Sequence, residues 1–329
     1  MDIKIRKIDR ELLERDDLIV KAAELVMESY REETMVVPCL PVDDSYTNVF
    51  QNRIKHLLDC GSGVAAFKGD KLLGFLVGFE IDEFFGRCKG IYVPVYGHGA
   101  DKTLRKSLYQ RMYKSAAELW VKNGNTNHAI TLLAHLEDVI NTWFWLGFGL
   151  RCIEAMREVK PINNFDINAD NTGIQIRKAE KKDILYLADI QRIHNLYYRN
   201  SPLFMPNEDE DPVQYLKDWW SKENRHLWLA DDGDKPLAYM RIQNNGESFV
   251  SEHPTVMNIT GAYVDESARK SKIATAMLAS IQDWLSENNY RLCGVEFESF
   301  NILGSSFWTK YFTPYTFSLV RRIDERILS

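Results

Sequence analysis

The chain repeats itself at long range. The stretch "GDKLLGFLVG", beginning at Gly69, returns as "GDKPLAYMRI" at Gly233, 164 positions later, and the same offset then holds without a gap through the rest of both copies. It sets Arg105-Lys106-Ser107 on Arg269-Lys270-Ser271, Trp120 on Trp284, and Trp143-Phe144 on Phe307-Trp308. Upstream, "IKIRKIDRE" at Ile3 reappears as "IQIRKAEKKD" at Ile174. Solenoid repeats recur every 20 to 50 or so residues, so a period this long makes each copy a complete domain with its own core. A length of 329 residues agrees, since it exceeds one ordinary core. The joining stretch "KPINNFDINADNTG", Lys160 to Gly173, is rich in Asn, Asp and Gly and lacks apolar periodicity. The expected division is a domain over 1–160, a linker over 161–173 and a domain over 174–329.

Hydrophobic periodicity gives the order of elements in the second copy. A strand is expected over Ile174 to Lys178, a helix over Lys182 to Tyr198 and, after the acidic loop "MPNEDEDP", a helix over Val213 to Glu223. Strands follow over His226 to Ala230, Leu237 to Gln243 and Thr255 to Val264, then a helix over Lys272 to Glu287 and a strand over Arg291 to Glu298. A helix over Gly304 to Tyr311 and a strand over Thr316 to Arg322 complete it. The first copy follows the same order, and "YGHGAD", Tyr96 to Asp101, is expected as a turn entering a helix. The architecture expected is an α/β (α+β) fold in two tandem copies, each a mixed, mostly antiparallel sheet flanked by helices.

Composition excludes several classes. No run of about 18 apolar residues is present to cross a membrane, and the start "MDIKIRKIDRELLERDD" holds no apolar signal core, so a cytoplasmic location is expected. A net charge of −6 disfavours general nucleic-acid binding. Five scattered cysteines, with no C-x-x-C pair, suggest neither a disulfide framework nor a metal site, and are expected as small buried hydrophobes.

Within "AYVDESARKSKIATAMLASIQDW", a strand hands over to a helix through the basic cluster Arg269, Lys270 and Lys272. A helix N-terminus presents unpaired N–H groups that suit a phosphate, although a solvated basic helix start reads the same. Together with "VEFESFNILGSSFWTKYF", this order of elements resembles the GNAT superfamily of N-acetyltransferases, once per half. The family joins its fourth strand to the next helix by a pyrophosphate loop, Gln/Arg-x-x-Gly-x-Gly/Ala. Arg269 and Ala274 match that loop, and Lys272 stands where the family has glycine. The resemblance implies that acetyl-coenzyme A is a co-substrate, held by Arg269, Lys270, Ser271, Lys272, Ile273 and Ala274 at its diphosphate. Ala262, Tyr263 and Val264 along the strand, and Asn301, would hold its pantetheine arm. Gly261 permits a bulge that opens the sheet.

An acetyl transfer by direct attack in a ternary complex needs a base for the amine, and Glu298 is the candidate, with Glu296 on the same face of the strand. The family's thiolate-protonating tyrosine is replaced by Trp308, whose indole is no acid, so Tyr311 becomes the expected donor, ahead of Tyr315 and Tyr263. Helices flanking the loop Met205 to Pro212 border the acceptor cleft in the family. The carboxylates Glu208, Asp209, Glu210 and Asp211 would attract a cationic amine, and "IHNLYYRNSPLF" from Ile193 would add walls. The expected partner is a small-molecule or peptide amine, with no nucleic acid, membrane or metal.

In the first copy Leu108 and Gln110 stand at the positions of Lys272 and Ala274, and Glu137 at that of Asn301, so cofactor binding is expected in the second copy alone. A silent binding or interaction protein with the same double fold is the alternative, as is a first copy that binds a different metabolite.

Overall fold

A computed structural model describes residues 2–15, 17–43, 45–162, 173–206, 211–246 and 248–329. Residues 163–172 of the expected linker, and Glu208, Asp209 and Glu210 of the acidic loop, lie outside the described residues. The chain divides into two compact units, the first made of Met1–Ile153 with Pro314–Ser329 and the second of Glu154–Thr313.

The first unit begins with β1 (Lys4–Lys7) and three helices, α1 (Arg10–Leu13), α2 (Leu18–Val36) and α3 (Tyr46–Cys60). Strands β2 (Ser62–Lys68), β3 (Lys71–Ile81), β4 (Lys89–Val93) and β5 (His98–Ala100) follow. Then come α4 (Arg105–Lys122), β6 (Asn125–Leu133), α5 (Glu137–Trp145) and β7 (Gly149–Glu158). The strands run in the order β1-β2-β3-β4-β6 with only β4 and β6 parallel, and β5 lies on β3. The expected turn at Tyr96 to Asp101 is thus partly a strand. Its glycines explain this: a Cβ on Gly97 would lie 2.6 Å from the Val77 carbonyl and one on Gly99 would lie 2.8 Å from Leu25 Cβ, so only bare backbone fits there.

The second unit carries β8 (Gln175–Lys178), α6 (Ile184–Arg199), α7 (Pro212–Ser221), β9 (Arg225–Asp231), β10 (Pro236–Gln243) and β11 (Val256–Val264). It continues through α8 (Ile273–Glu287), β12 (Leu292–Glu298) and α9 (Ile302–Tyr311), and β13 (Thr313–Arg322) follows. Strand order is β8-β9-β10-β11-β12, antiparallel except for the β11–β12 pair. Each expected element over 174–322 is present, with ends displaced by a few residues where caps decide them. Asp211 caps α7 through Val213 N–H, and Asn301 caps α9 through Gly304 N–H, so α9 starts before the expected Gly304.

The last strand departs from the linear division. β13 pairs antiparallel with β6, Thr316 opposite Leu133 through Arg322 opposite Asn127, and so completes the first unit's sheet. β7 changes unit at Glu154, and at its far end Val159 N–H donates to Arg291 O, just ahead of β12. These two strands are counterparts in the repeat.

Each unit has its own apolar centre. Leu76, Ile91, Leu108, Met112, Trp120 and Trp143 close the first, and Leu187, Leu216, Leu227, Leu229 and Tyr239 the second. Of the five cysteines only Cys293 is buried. Cys60 is exposed and the others half-buried, so the expectation of buried cysteines fails. No helix of the described residues is long and apolar enough to cross a membrane.

Two buried histidines of the first unit are held neutral. His98 Nδ1 lies 2.8 Å from Tyr109 Oη and its Nε2 lies 2.9 Å from Thr131 O, while His128 Nδ1 lies 2.9 Å from Tyr113 Oη and its Nε2 lies 3.2 Å from Asn125 O. A carbonyl only accepts, so each Nε2 carries the proton and each Nδ1 accepts from a tyrosine. Burial lowers both to about 4. An unfolded chain takes up these protons below about pH 6.5 whereas the folded one does not. Stability is therefore expected to be intact above that pH and to fall as the pH drops toward 4. Chemical denaturation across the window, with His98→Gln and His128→Gln combined, should show a shallower pH slope than the unmodified chain.

Candidate active site in the second unit

The site begins where two parallel strands part. β11 and β12 pair from Val256 with Leu292 to Ile259 with Val295, and there the ladder ends although β11 runs on to Val264 and β12 to Glu298. Just before the parting, Asn258 is buried and donates to Ser251 O at 2.8 Å. Its Oδ1 fills the place of the missing Gly294 side chain, 2.3 Å from where a Cβ would stand. Just after it, the β10–β11 register shifts between Arg241 and Ile242, which leaves Thr260 as the extra residue of a bulge. A bulge bends and twists its strand, which carries β11 away from β12. The expected bulge at Gly261 is thus present one residue earlier. Ala262, Tyr263 and Val264 pair with Met240, Tyr239 and Ala238 on one side, and among the described residues they have no strand partner on the other.

The chain then enters the basic loop. Asp265 accepts from Ser267 N–H, turning the backbone toward α8. Lys270 and Lys272 have φ of 69° and 62°, and Lys272 is the left-handed residue immediately before α8. The family's glycine position therefore keeps a glycine-like backbone with a lysine in it, which costs about 1–2 kcal/mol. The first turn of α8 contains no acidic residue, and its leading N–H groups face out of the helix end. Lys270 and Lys272 are exposed and form no ion pair among the described residues. Arg269 is drawn back instead. Its guanidinium lies over the rings of Tyr197 and Tyr263, at 5.5 and 5.9 Å, and 3.5 Å from Glu266. Ser271 Oγ donates to Ala268 O, Ile273 is buried, and Ala274 is half-buried.

Asn301 Oδ1 is taken by the α9 cap and by Tyr197 Oη at 2.9 Å, so only its amide N–H groups remain to hold a ligand. Glu298 is half-buried and accepts from Tyr198 Oη at 3.1 Å, whereas Glu296 is exposed. Tyr311 Oη lies 3.1 Å from Thr275 Oγ1, on the first turn of α8. Trp308 is 7% exposed and packs on Phe307 and Phe312, as a core side chain does. Tyr315 belongs to the first unit and is 1% exposed, which removes it as a proton donor here.

A cleft of about 400 Å³ opens beside the bulge. Its walls include His194, Asn195 and Tyr198 from α6, Met205 and Pro206 from the loop, and Arg241, Thr260 and Gly261 from the strands. Here the structure brings in residues the sequence reading did not single out. Along α6 the buried stripe Ile184, Leu187, Ala188 continues at helical spacing through Gln191 and His194, and polar residues on such a stripe were the available signal. Gln191 Nε2 donates to Asn195, so its Oε1 accepts from Tyr239 Oη at 2.9 Å. The Tyr239 oxygen must then accept from His194 Nδ1, 2.5 Å away, which leaves the His194 Nε2 lone pair unprotonated. Burial first, then the nearby Arg241 charge, pushes His194 down to about 3.

The first unit repeats the backbone but not these groups. Val77 N–H bonds Gly97 O as their counterparts Arg241 and Gly261 face each other, with valine in place of the arginine. Helix α4 starts at Arg105, a full turn earlier than α8, and Leu108 N–H already bonds Leu104 O. The counterparts of 269–272 form the first turn of a helix, the amides matching Ile273 and Ala274, those of Tyr109 and Gln110, lie inside it, and Arg105 is buried in a two-fold bond to Glu32 at 2.6 and 3.0 Å. Glu137 stands exposed in the first turn of α5. Among the described residues no group of three or more His, Cys, Asp or Glu side chains could hold a metal ion.

If the left-handed backbone at Lys272 is strained as its φ indicates, replacement by valine, whose branched Cβ suits that region least, should cost about 1–2 kcal/mol in urea denaturation. Lys272→Gly should stay within about 1 kcal/mol of the unmodified protein, since relief of strain and added chain entropy oppose each other.

Residues 188–302 match the model of the acetyltransferase (GNAT) family. A search of curated protein sequences finds no match. Among solved structures, a GCN5-related N-acetyltransferase from Sphaerobacter thermophilus aligns over 97% of this chain and 95% of its own, at 11% identity and a TM-score of 0.61. A tandem GNAT protein of the clavulanic acid biosynthesis pathway aligns over 98% of both chains at 11% identity and a TM-score of 0.50. A GCN5-related glucosamine N-acetyltransferase region of a fungal multi-domain β-N-acetylglucosaminidase aligns over 97% of this chain and 38% of its own, at 10% identity and a TM-score of 0.54. Residues 188–302 thus match the GNAT acetyltransferase family model, and along its length the chain has the fold of tandem GNAT proteins.

Proposed function

We propose that the second unit is an acetyl-CoA-dependent N-acetyltransferase that joins an acetyl group to an amine by direct attack in a ternary complex. The observation that carries this is the parting of β11 and β12 immediately beside an α8 N-terminus flanked by the exposed Lys270 and Lys272. The residues fit the co-substrate. Gly261 and Ala262 leave room beside an unpaired strand edge for the pantetheine amides, which can pair there as an added strand does. The N–H groups of Ile273 and Ala274, with the two lysines, suit the diphosphate.

When bound, acetyl-CoA supplies a thioester carbonyl at which an amine forms a C–N bond as the C–S bond breaks. The chain's own groups orient and exchange protons around that event. A backbone N–H of the bulged stretch of β11 donates to the carbonyl oxygen. Glu298, joined to the cleft through Tyr198, takes the proton of the arriving ammonium, and Tyr311 returns one to the departing sulfur. His194, unprotonated at Nε2, orients the amine by accepting a hydrogen bond. Asp211 and the rest of the acidic loop attract a cationic amine to the entrance. We place no cofactor in the first unit, where the matching amides are helical.

The test is calorimetry with acetyl-CoA, followed by release of free CoA over a panel of amines. Binding in the unmodified chain, reduced at least about tenfold in Lys270→Glu/Lys272→Glu, is the expected outcome. Absence of binding overturns the reading, and binding without CoA release from any amine favours a silent binding protein. Glu298→Gln should lower kcat by about 10²–10⁴-fold.

A further inference from the structure

We propose that the cleft selects acceptors that carry a carboxylate as well as an amine, and that Arg241 reads the carboxylate. This rests on the acetyltransferase reading for the amine half, and on separate observations for the acid half. Arg241 is a half-buried cleft residue, placed mid-strand in β10, yet among the described residues it has no carboxylate partner. Its guanidinium is held by geometry rather than by countercharge. Nε and Nη2 share the Thr260 carbonyl at 3.4 and 3.3 Å, and the rings of Tyr215 and Trp219 stack on it at 5.1 and 5.8 Å. Among the described residues Nη1 is buried with no hydrogen-bond partner, and so is the hydroxyl of Thr260 beside it.

Burying a charge without a counter-ion is costly, so such a group persists where a ligand completes it. The surroundings deepen the deficit. Arg225 lies close enough that Arg241 contributes to lowering its pKa, after burial, and His194 is kept neutral partly by the same charge. A planar carboxylate matches the fork of an arginine, and the cleft volume suits a small molecule. Opposite in sign, Glu298 reaches the cleft through Tyr198, so the site offers an acid-binding pole and an ammonium-binding pole to one zwitterion.

Gly261 belongs to the same device. It faces Arg241 across the ladder, and a Cβ there would stand 2.4 Å from Arg241 Nε. The missing side chain makes room for the guanidinium to lie flat at the bulge. Because the clash is with a side chain, Gly261→Ala is expected to displace the arginine and spare the strand.

The test uses matched pairs, each an α-, β- or γ-amino acid and its carboxamide, with two readouts: shift of the thermal midpoint, and CoA release in the presence of acetyl-CoA. The acid of at least one pair should bind the unmodified chain, and be turned over, about thirtyfold or more better than its amide, the scale of losing one partner of a buried charge pair. That preference should collapse in Arg241→Gln and in Gly261→Ala, chiefly through KM, and return in part in Arg241→Lys. Melting without ligand checks that each variant is folded. Amides that equal their acids in every pair, or a preference that survives Arg241→Gln, overturn the proposal. CoA release without discrimination therefore sinks the carboxylate site and keeps the acetyltransferase. Arg241-dependent binding of the acid without CoA release does the reverse.

Discussion

Everything in the second unit follows from the point at which β11 stops bonding to β12. A strand edge released inside a sheet is a liability, since its amides must find another partner. Here the release is built in by Asn258 seated in the hollow of Gly294, and by the bulge at Thr260, two residues apart on the same strand. The released edge, the end of α8 and the cleft beside the bulge meet there, which is why one short stretch, 258–274, carries most of the candidate contacts to a co-substrate.

The two copies differ here in only a few features. Both retain a central parallel pair and a glycine across from the third strand. In the first copy the helix simply starts a turn earlier, and the arginine aligned with Arg269 is sealed by Glu32. Amides inside a helix cannot also meet a phosphate, so the four additional helical residues take the counterparts of Ile273 and Ala274 into the helix interior. The buried pairs His98–Tyr109 and His128–Tyr113 then occupy the interior with polar groups that satisfy one another.

The arrangement in the second copy trades strain and unpaired charge for a ready site. Lys272 keeps a backbone shape that glycine would hold more cheaply, and Arg241 keeps a charge that no carboxylate among the described residues neutralises. Residues in sparsely populated conformations and incompletely satisfied buried groups gather where ligands bind, because only a bound partner repays them.

The repeat, the element order and the basic strand-to-helix junction were legible from residue types and spacing alone, because apolar periods of two and 3.6 and cap residues act locally. The bulge near Gly261 and the departure from the loop pattern at Leu108 and Gln110 were legible in the same way, whereas Asn301 as the cap of α9 was not. What each side chain faces was not. The sequence shows Arg241 only as a charge in an apolar strand and His194 only as a polar residue on an apolar stripe, while Arg269, the best motif match, is turned onto two tyrosines. Nor does residue order reveal that β13 completes the first unit's sheet. Local sequence determined which segments become strands and helices; long-range packing decided which amides, cations and rings share a cleft, because those meetings join residues that are distant along the chain.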